Sequence, residues 1–155
     1  MFERTIVPKM VIMRGLPGSG KDHYIEKNLN DYYVVSADMF FERLADEQEK
    51  TYVDVFDPRR LSEAHADCLR EFIFAVAGKY DIAVNNTNST LWEYNNYIRI
   101  ATILADDYEV EVIEIPCDKR TTLKQFHARN SHGVPLQTMF FMKERWEDDP
   151  RAKYV

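Results

Sequence analysis

At 155 residues the chain lies within the span of one compact domain, roughly 100–200 residues, and residues 1–155 read as a single domain. With 45% hydrophobic and 30% charged residues it has material for a sizeable core, which excludes a largely disordered chain. The 26 acidic and 20 basic residues leave a formal charge of -6, excluding a protein that holds nucleic acid by an overall positive field; a local basic patch stays open. Cys68 and Cys117 sit among apolar neighbours without CxxC or Cys/His spacing, so they read as buried thiols rather than a disulfide or zinc site. The longest strongly apolar stretch, residues 72–77, is far short of a membrane span, and MFERTIVPK lacks the apolar core of a signal peptide. The expectation is a soluble cytoplasmic protein with no membrane association and no obligate protein partner.

Taken in order, strand-like and helix-like segments alternate, which predicts an α/β fold with a parallel sheet. Residues 10–14 (MVIMR) form a short apolar strand that runs into a glycine-rich turn, and residues 21–29 accept a helix. Residues 33–36 (YVVS) suit a second buried strand and 38–49 a charged helix. A long helix is expected over 58–79: Pro58 suits its first turn, Leu61, Ala64, Cys68, Phe72 and Val76 form an apolar stripe, and Gly78 suits its end. Residues 81–85 (DIAVN) are a third strand, 91–105 a helix, and 109–115 (EVEVIEI) an alternating strand more exposed on one face. A basic helix over 119–129 then leads through an SHGVP turn to a last helix over about 135–147.

Gly15, Leu16, Pro17, Gly18, Ser19, Gly20 and Lys21 fit GxxxxGK, between an apolar strand and a helix as that motif requires. Glycines let the backbone curl so that successive N–H groups and the helix N-terminus converge on an anion, and Lys21 adds a point charge for terminal phosphates. The next position departs from the pattern, which asks for Ser or Thr as a magnesium ligand and here has Asp22.

The ordered set GLPGSGK, SADMFF, FDPRRLSEAHADC, VNNTN, WEYNNY, ARNSHGVP and MKERWE, over about residues 10–147, resembles the small P-loop kinases related to bacteriophage polynucleotide kinase. That resemblance implies a kinase-type, three-layer P-loop sandwich with a mostly parallel sheet and a helical lid. It also implies ATP as phosphate donor, Mg2+ as cofactor and the 5′-hydroxyl of a nucleic acid as a common acceptor. Asp38 stands where the family carries a carboxylate on the acceptor hydroxyl, and so is the candidate general base; read from the residues alone it equally begins and caps a helix. Met39 lies where relatives often have a second Asp. Asn85 occupies the strand-end position of a metal-associated Asp, which makes it, with Asp22, a candidate at the metal. Asn86, Thr87 and Asn88 are candidate substrate contacts, or a polar turn that caps the following helix.

Lys119, Arg120, Lys124 and Arg129 look like the family's lid, with Lys124 and Arg129 as candidate phosphate ligands and Arg129 the better match because a guanidinium holds phosphate bidentately. Lys119 and Arg120 suit a solvated helix face, and His132 suits a cap of the preceding helix. His65 is placed near the acceptor, His23 and His127 on the surface or in packing, and Tyr52, Phe56 and Trp92 as rings that could stack an acceptor base. The expected activity is transfer of the γ-phosphate of ATP to a hydroxyl of a nucleic acid or nucleotide-like acceptor. Two alternatives stay open: a kinase for a small molecule or a modified nucleobase hydroxyl, and an ATP-binding module without turnover, suggested by Asp22 and Asn85.

Overall fold

Four apolar residues follow one another in MVIM because their strand is covered on both faces, as central strands of parallel sheets are. A computed structural model describes residues 6–155. In it β1 (Lys9–Arg14) is flanked by β3 (Ile82–Asn85) and β4 (Glu109–Glu114), with β2 (Tyr33–Val35) and β5 (Ala152–Tyr154) at the edges, in the order β2-β3-β1-β4-β5 and parallel throughout. Side chains alternate across the sheet. Met10 and Ile12 point to one layer with Val35, Ile82, Val84 and Val112, under α4 (Leu61–Ala77) and α5 (Leu91–Leu104). Val11 and Met13 point to the other, with Ala83 and Ile113, under α1 (Lys21–Asn28) through Ile25 and Leu29. Helices α2 (Asp38–Gln48) and α3 (Tyr52–Val55) pack by Phe41, Tyr52 and Val55 onto Ala64 of α4. The last pair, α6 (Arg120–Arg129) and α7 (Leu136–Glu144), builds its own cluster from Leu123, Phe126 and Met139. Among the described residues no helix is long and apolar enough to cross a membrane.

Several local expectations change. The helix foreseen from Pro58 begins as a 3-10 turn over Pro58–Arg60, in which the Asp57 carboxylate accepts from the Arg59 amide; the α-helix starts at Leu61, which is exposed and outside the stripe. Strand β4 is not open along one face. It lies between β1 and β5, so burial grows along its length instead: Glu109 and Val110 are exposed, and Val112 to Glu114 are buried. The last helix stops at Glu144. Cys68 is buried, whereas Cys117 is only half-buried; neither forms a disulfide. Two elements were not foreseen. Helix α3 is four residues held by a capping box between Thr51 and Asp54, and β5 is an edge strand of three residues that carries little apolar signal.

The last residue of MVIMR is not at the surface: Arg14 is 0% exposed. Its Nε donates to Asn88 O (2.9 Å), Nη1 to Glu114 Oε2 (2.6 Å), and Nη2 to Ser89 O (3.2 Å) and Glu147 O (2.5 Å). The guanidinium also faces the rings of Trp146 and Tyr94, 4.7 and 5.2 Å from their centroids. Glu114 takes a further bond from the Trp146 indole (3.2 Å), and its burial pushes its carboxyl above the ordinary range. Removing one partner of such a pair strands the other charge without water. Arg14→Met is therefore expected to lower the unfolding free energy by about 3–5 kcal/mol in urea titrations. Arg14→Met/Glu114→Gln should lose less than the single variant, and an equal loss in both would show that the ion pair is not what holds this edge.

Candidate active site

The loop between β1 and α1 is shaped by its glycines. Gly18 has φ +74° and Gly20, at the N-cap of α1, has φ +103°, a region that other residues enter at a cost. No side chain caps α1, so its first amides are left facing the loop. The Gly15 amide donates to Thr87 O (3.2 Å) and that of Ser19 to Leu16 O (3.0 Å), while the buried Ser19 hydroxyl has no partner among the described residues. Lys21 Nζ folds back onto the loop, 2.8 Å from Gly15 O and 3.4 Å from Leu16 O. Enclosure lowers its pKa to about 8 despite the opposing pull of Asp22 and Asp38. An enclosed ammonium beside the uncapped amides of a helix start can receive a phosphate.

The helical pair lies against this loop. Leu16 is 1% exposed because it inserts among Leu123, Phe126 and Met139, and a Cβ at residue 18 would stand 1.9 Å from Phe126 O and 3.1 Å from the Asn130 amide. Arg129, adjacent to Asn130, thus ends α6 beside the loop, its guanidinium over the Phe126 ring (5.3 Å). Among the described residues neither Lys124 nor Arg129 is paired with a carboxylate. Arg120 covers Phe140 (5.6 Å), and Lys119 is exposed at the N-cap of α6, as a solvated face requires.

Asp38 does not cap α2. Ala37 is the N-cap, and the Asp38 carboxylate instead receives the Tyr52 hydroxyl on Oδ1 (2.6 Å), with His132 Nδ1 3.5 Å from Oδ2. It opens into a cavity of about 270 Å3 whose lining includes Asp22, Ser36, Glu42, Asn85 and His132. Asp22 and Asn85 meet there, the amide Nδ2 donating to Asp22 Oδ1 (2.6 Å) and leaving Asn85 Oδ1 buried without a partner. Other candidates are framework. Asn86 Oδ1 accepts from the Ala37 amide (2.9 Å) and its Nδ2 lies 3.7 Å from Cys68 Sγ. Asn88 is 2% exposed at φ +51°, its Nδ2 donating to Met13 O (2.8 Å), so it has no reach toward a substrate. Thr87 serves the loop through its carbonyl. Trp92 is 75% exposed, and neither it nor His65 lines this cavity; His23 and His127 are exposed. Tyr52 and Phe56 stack at 5.8 Å and are not free platforms. His132, expected to cap the preceding helix, is not its cap, which is Asn130; it reaches Asp38 instead, a contact across 94 positions that no local pattern encodes.

A second cavity, about 420 Å3, lies against Leu16 and is lined by Ile115, Cys117, Asp118, Trp146 and Tyr154 among others. It shares no lining residue with the first. Among the described residues no three His, Cys, Asp or Glu side chains converge as a metal cage. Magnesium asks for less, one or two carboxylates with phosphate oxygens and waters, and the Asp22 carboxylate beside the unpartnered Asn85 oxygen is a donor set that fits it.

A parallel α/β sheet with a lysine-bearing glycine loop after its central strand, and a helical pair against that loop, is the fold of the P-loop kinases. The chain belongs to the AAA_33 family, described as an AAA domain, whose model matches residues 10–148. Its fold is similar to a gluconokinase from Sinorhizobium meliloti 1021 at TM-score 0.58 and 15% identity, over 96% of this chain and 82% of that one. It is similar to a chain of the Pnkp1/Rnl/Hen1 RNA repair complex at TM-score 0.66 and 15% identity, over 90% of this chain and 44% of that one. A chain of AvrRxo1-ORF1:-ORF2 with ATP matches at TM-score 0.62 and 19% identity, over 88% of this chain and 47% of that one. The protein thus spans less than half of the last two chains, and at these identities the likeness is one of fold.

The two glycines with positive φ separate strain from contact. Gly18→Ala and Gly20→Ala each add left-handed strain, roughly 1–3 kcal/mol, but only residue 18 meets the Phe126 carbonyl; a Cβ at residue 20 meets nothing within 4 Å. Gly18→Ala is expected to be the more destabilised of the two in urea unfolding. Equal losses would mean that α6 does not rest on the loop.

Proposed function

We propose that the protein transfers the γ-phosphate of ATP to a hydroxyl, with Asp38 as base and Lys21 and Arg129 as the phosphate-binding cations. The observation that carries this reading is that Asp22, beside Lys21, and Asp38 line one cavity, so the end of a bound triphosphate and an acceptor on Asp38 would meet. Asp38 Oδ2 is the base atom, because Oδ1 is already occupied by the Tyr52 hydroxyl. It takes the acceptor's proton as the acceptor oxygen bonds to the γ-phosphorus and the bond to the bridging oxygen breaks, leaving ADP. Lys21 exchanges Gly15 O for a phosphate oxygen, and Arg129 offers a bidentate contact that offsets developing charge. Asp22 and Asn85 would hold Mg2+, which when bound neutralises phosphate charge. Gly15, Pro17, Gly18, Ser19 and Gly20 would enclose the phosphates, and the cavity against Leu16, which Asp118 helps to line, would take the base. The free thiols suit a reducing, cytoplasmic setting.

The acceptor that the cavity suits is a small hydroxyl compound without phosphates. Asp22, Asp38 and Glu42 all face it, and the nearby cations are committed elsewhere, Arg43 to Asp67, Arg59 to Asp57 and Arg60 to Glu63. A phosphate about 4 Å from one carboxylate would be repelled by roughly 4 kcal/mol at an effective dielectric of about 20. A second reading, the 5′-hydroxyl of a nucleic acid, is favoured by the fold likeness to the RNA repair complex.

Labelled ATP offered with 5′-hydroxyl oligonucleotides, nucleosides and neutral polyols distinguishes the two, and label on a polyol or nucleoside is the expected outcome. Preferential labelling of the oligonucleotide would replace the first acceptor by the second. Asp38→Asn and Lys21→Ala should each reduce transfer by a factor on the order of a hundred or more, and Arg129→Lys should not restore the full rate. Undiminished transfer in Lys21→Ala would remove the ATP assignment. The Asp22–Asn85 contact gives an independent check. Asp22→Ser and Asn85→Asp should each impair magnesium-dependent transfer, and the double variant should recover a substantial part; purely additive losses would separate the two residues.

A further inference from the structure

Three elements converge on the Asp38 carboxylate. Its own helix α2 supplies the backbone, α3 supplies the Tyr52 hydroxyl on Oδ1 at 2.6 Å, and the loop between α6 and α7 supplies His132, with Nδ1 3.5 Å from Oδ2 and Nε2 3.3 Å from Glu42 Oε1. Each donor is itself held. The imidazole stacks on the Tyr52 ring with centroids 4.1 Å apart and planes at 25°, and Tyr52 rests against Phe41 and Phe56. The capping box of Thr51 and Asp54 fixes the start of α3, where Tyr52 sits. On the lid side, Asn130 Oδ1 accepts from the His132 amide (3.0 Å), and its Nδ2 donates to Val134 O (3.1 Å). Gly133, at φ +69°, approaches α3 so closely that a Cβ would lie 3.3 Å from the Val53 methyl.

A carboxylate that is half exposed turns freely about its last bond unless both oxygens are engaged. Here the Tyr52 hydroxyl bonds Oδ1, and the imidazole stands 3.5 Å from Oδ2, an ion-pair contact longer than a hydrogen bond that restrains the turn and leaves Oδ2 without a hydrogen-bond donor among the described residues. We propose that Tyr52 and His132 are positioning residues for Asp38, and that the base is aligned only while the lid loop is seated against α3. This rests on the reading of Asp38 as the base. The same lid presses Phe126 O toward Gly18, so one rigid placement of α6 and its following loop serves both the phosphate loop and the base. With the lid raised, a water that reaches the phosphate meets an unaligned carboxylate, and hydrolysis is suppressed in favour of transfer.

The groups facing His132 are Asp38 and Glu42 on α2, Tyr52 on α3 and Asp22 on α1; in its own loop it has Asn130. The Glu42 carboxylate, 3.3 Å from Nε2, is the largest influence, and with Asp38 and Asp22 it raises the imidazole pKa against the opposing effect of burial. The sign follows: the ionic hold is complete below the ordinary imidazole value of about 6.5 and is lost as pH rises through the raised value.

The test follows label leaving γ-labelled ATP in the presence of Mg2+, as free phosphate with water and as glycerol phosphate with glycerol, and with ATP saturating so that Lys21 stays on phosphate. Tyr52→Phe keeps the ring stack and removes only the O–H, and His132→Gln keeps a donor and removes the titration. Each should lower kcat roughly ten- to a hundredfold with KM for ATP little changed, as a misaligned base predicts. His132→Gln should also abolish the alkaline fall in kcat that the unaltered protein shows. If Tyr52→Phe melts early, His132→Gln carries both readings alone. Should both variants keep rates within about twofold while Asp38→Asn is slowed about a hundredfold, positioning is overturned and the base stands. An Asp38→Asn protein as fast as its parent would remove the base itself.

Discussion

A guanidinium without access to water sets the edge of the sheet on which the rest of this protein depends. Arg14 ends β1, and its four donated bonds reach the loop after β3, the end of β4 and the segment after α7. Burying that charge is expensive unless nearly every donor is met, so the carbonyls of Asn88, Ser89 and Glu147 and the Glu114 carboxylate are as necessary to Arg14 as it is to them. The reciprocal requirement fixes three chain segments to one atom group. Gly15 follows Arg14 directly and bonds to Thr87, and Asn85 lies at the end of the neighbouring strand, so the phosphate loop inherits its placement from this one contact set.

Around that edge the charges are segregated. The overall balance of -6 conceals exposed cations on α6, Lys124 and Arg129, without carboxylate partners among the described residues, and carboxylates gathered on one cavity in Asp22, Asp38 and Glu42. On the proposed reading a triphosphate meets the first side and an uncharged hydroxyl the second. At the loop between them, the backbone amides at the start of α1 add their field to the Lys21 ammonium.

Much of this was legible in the residues because it is local. Strand-forming MVIM and DIAVN, the stripe on α4 and the GxxxxGK loop each announce themselves within a few positions, and their order led to the α/β fold, while the family followed from the resemblance of the motif set from GLPGSGK to MKERWE. What escaped is what depends on distant partners. Arg14 reads as the polar end of a strand until Glu114 and Glu147 surround it. His132 reads as a turn residue until α2 and α3 are beside it, and Asn86 and Asn88 read as ligands until the Ala37 amide and Met13 carbonyl occupy them. Helix α3 was within reach, since Thr51 and Asp54 have capping-box spacing, but its four residues carry no periodicity. Strand β5 owes its form to the open edge of β4 rather than to its own composition.

Leu16 has a consequence for how this fold can diverge. The second residue of the phosphate loop is a buried member of the lid's apolar cluster, in contact range of the same packing as Leu123, Phe126 and Met139. The two parts therefore make one heritable unit. A lid borrowed from another kinase would fail here unless it brought a socket for this leucine, and a loop with a polar residue at position 16 would demand a rebuilt lid. Substrate range in such a protein can drift at the positions of α2 and α3 that do not meet His132 or Gly133, while the loop and lid can change only together.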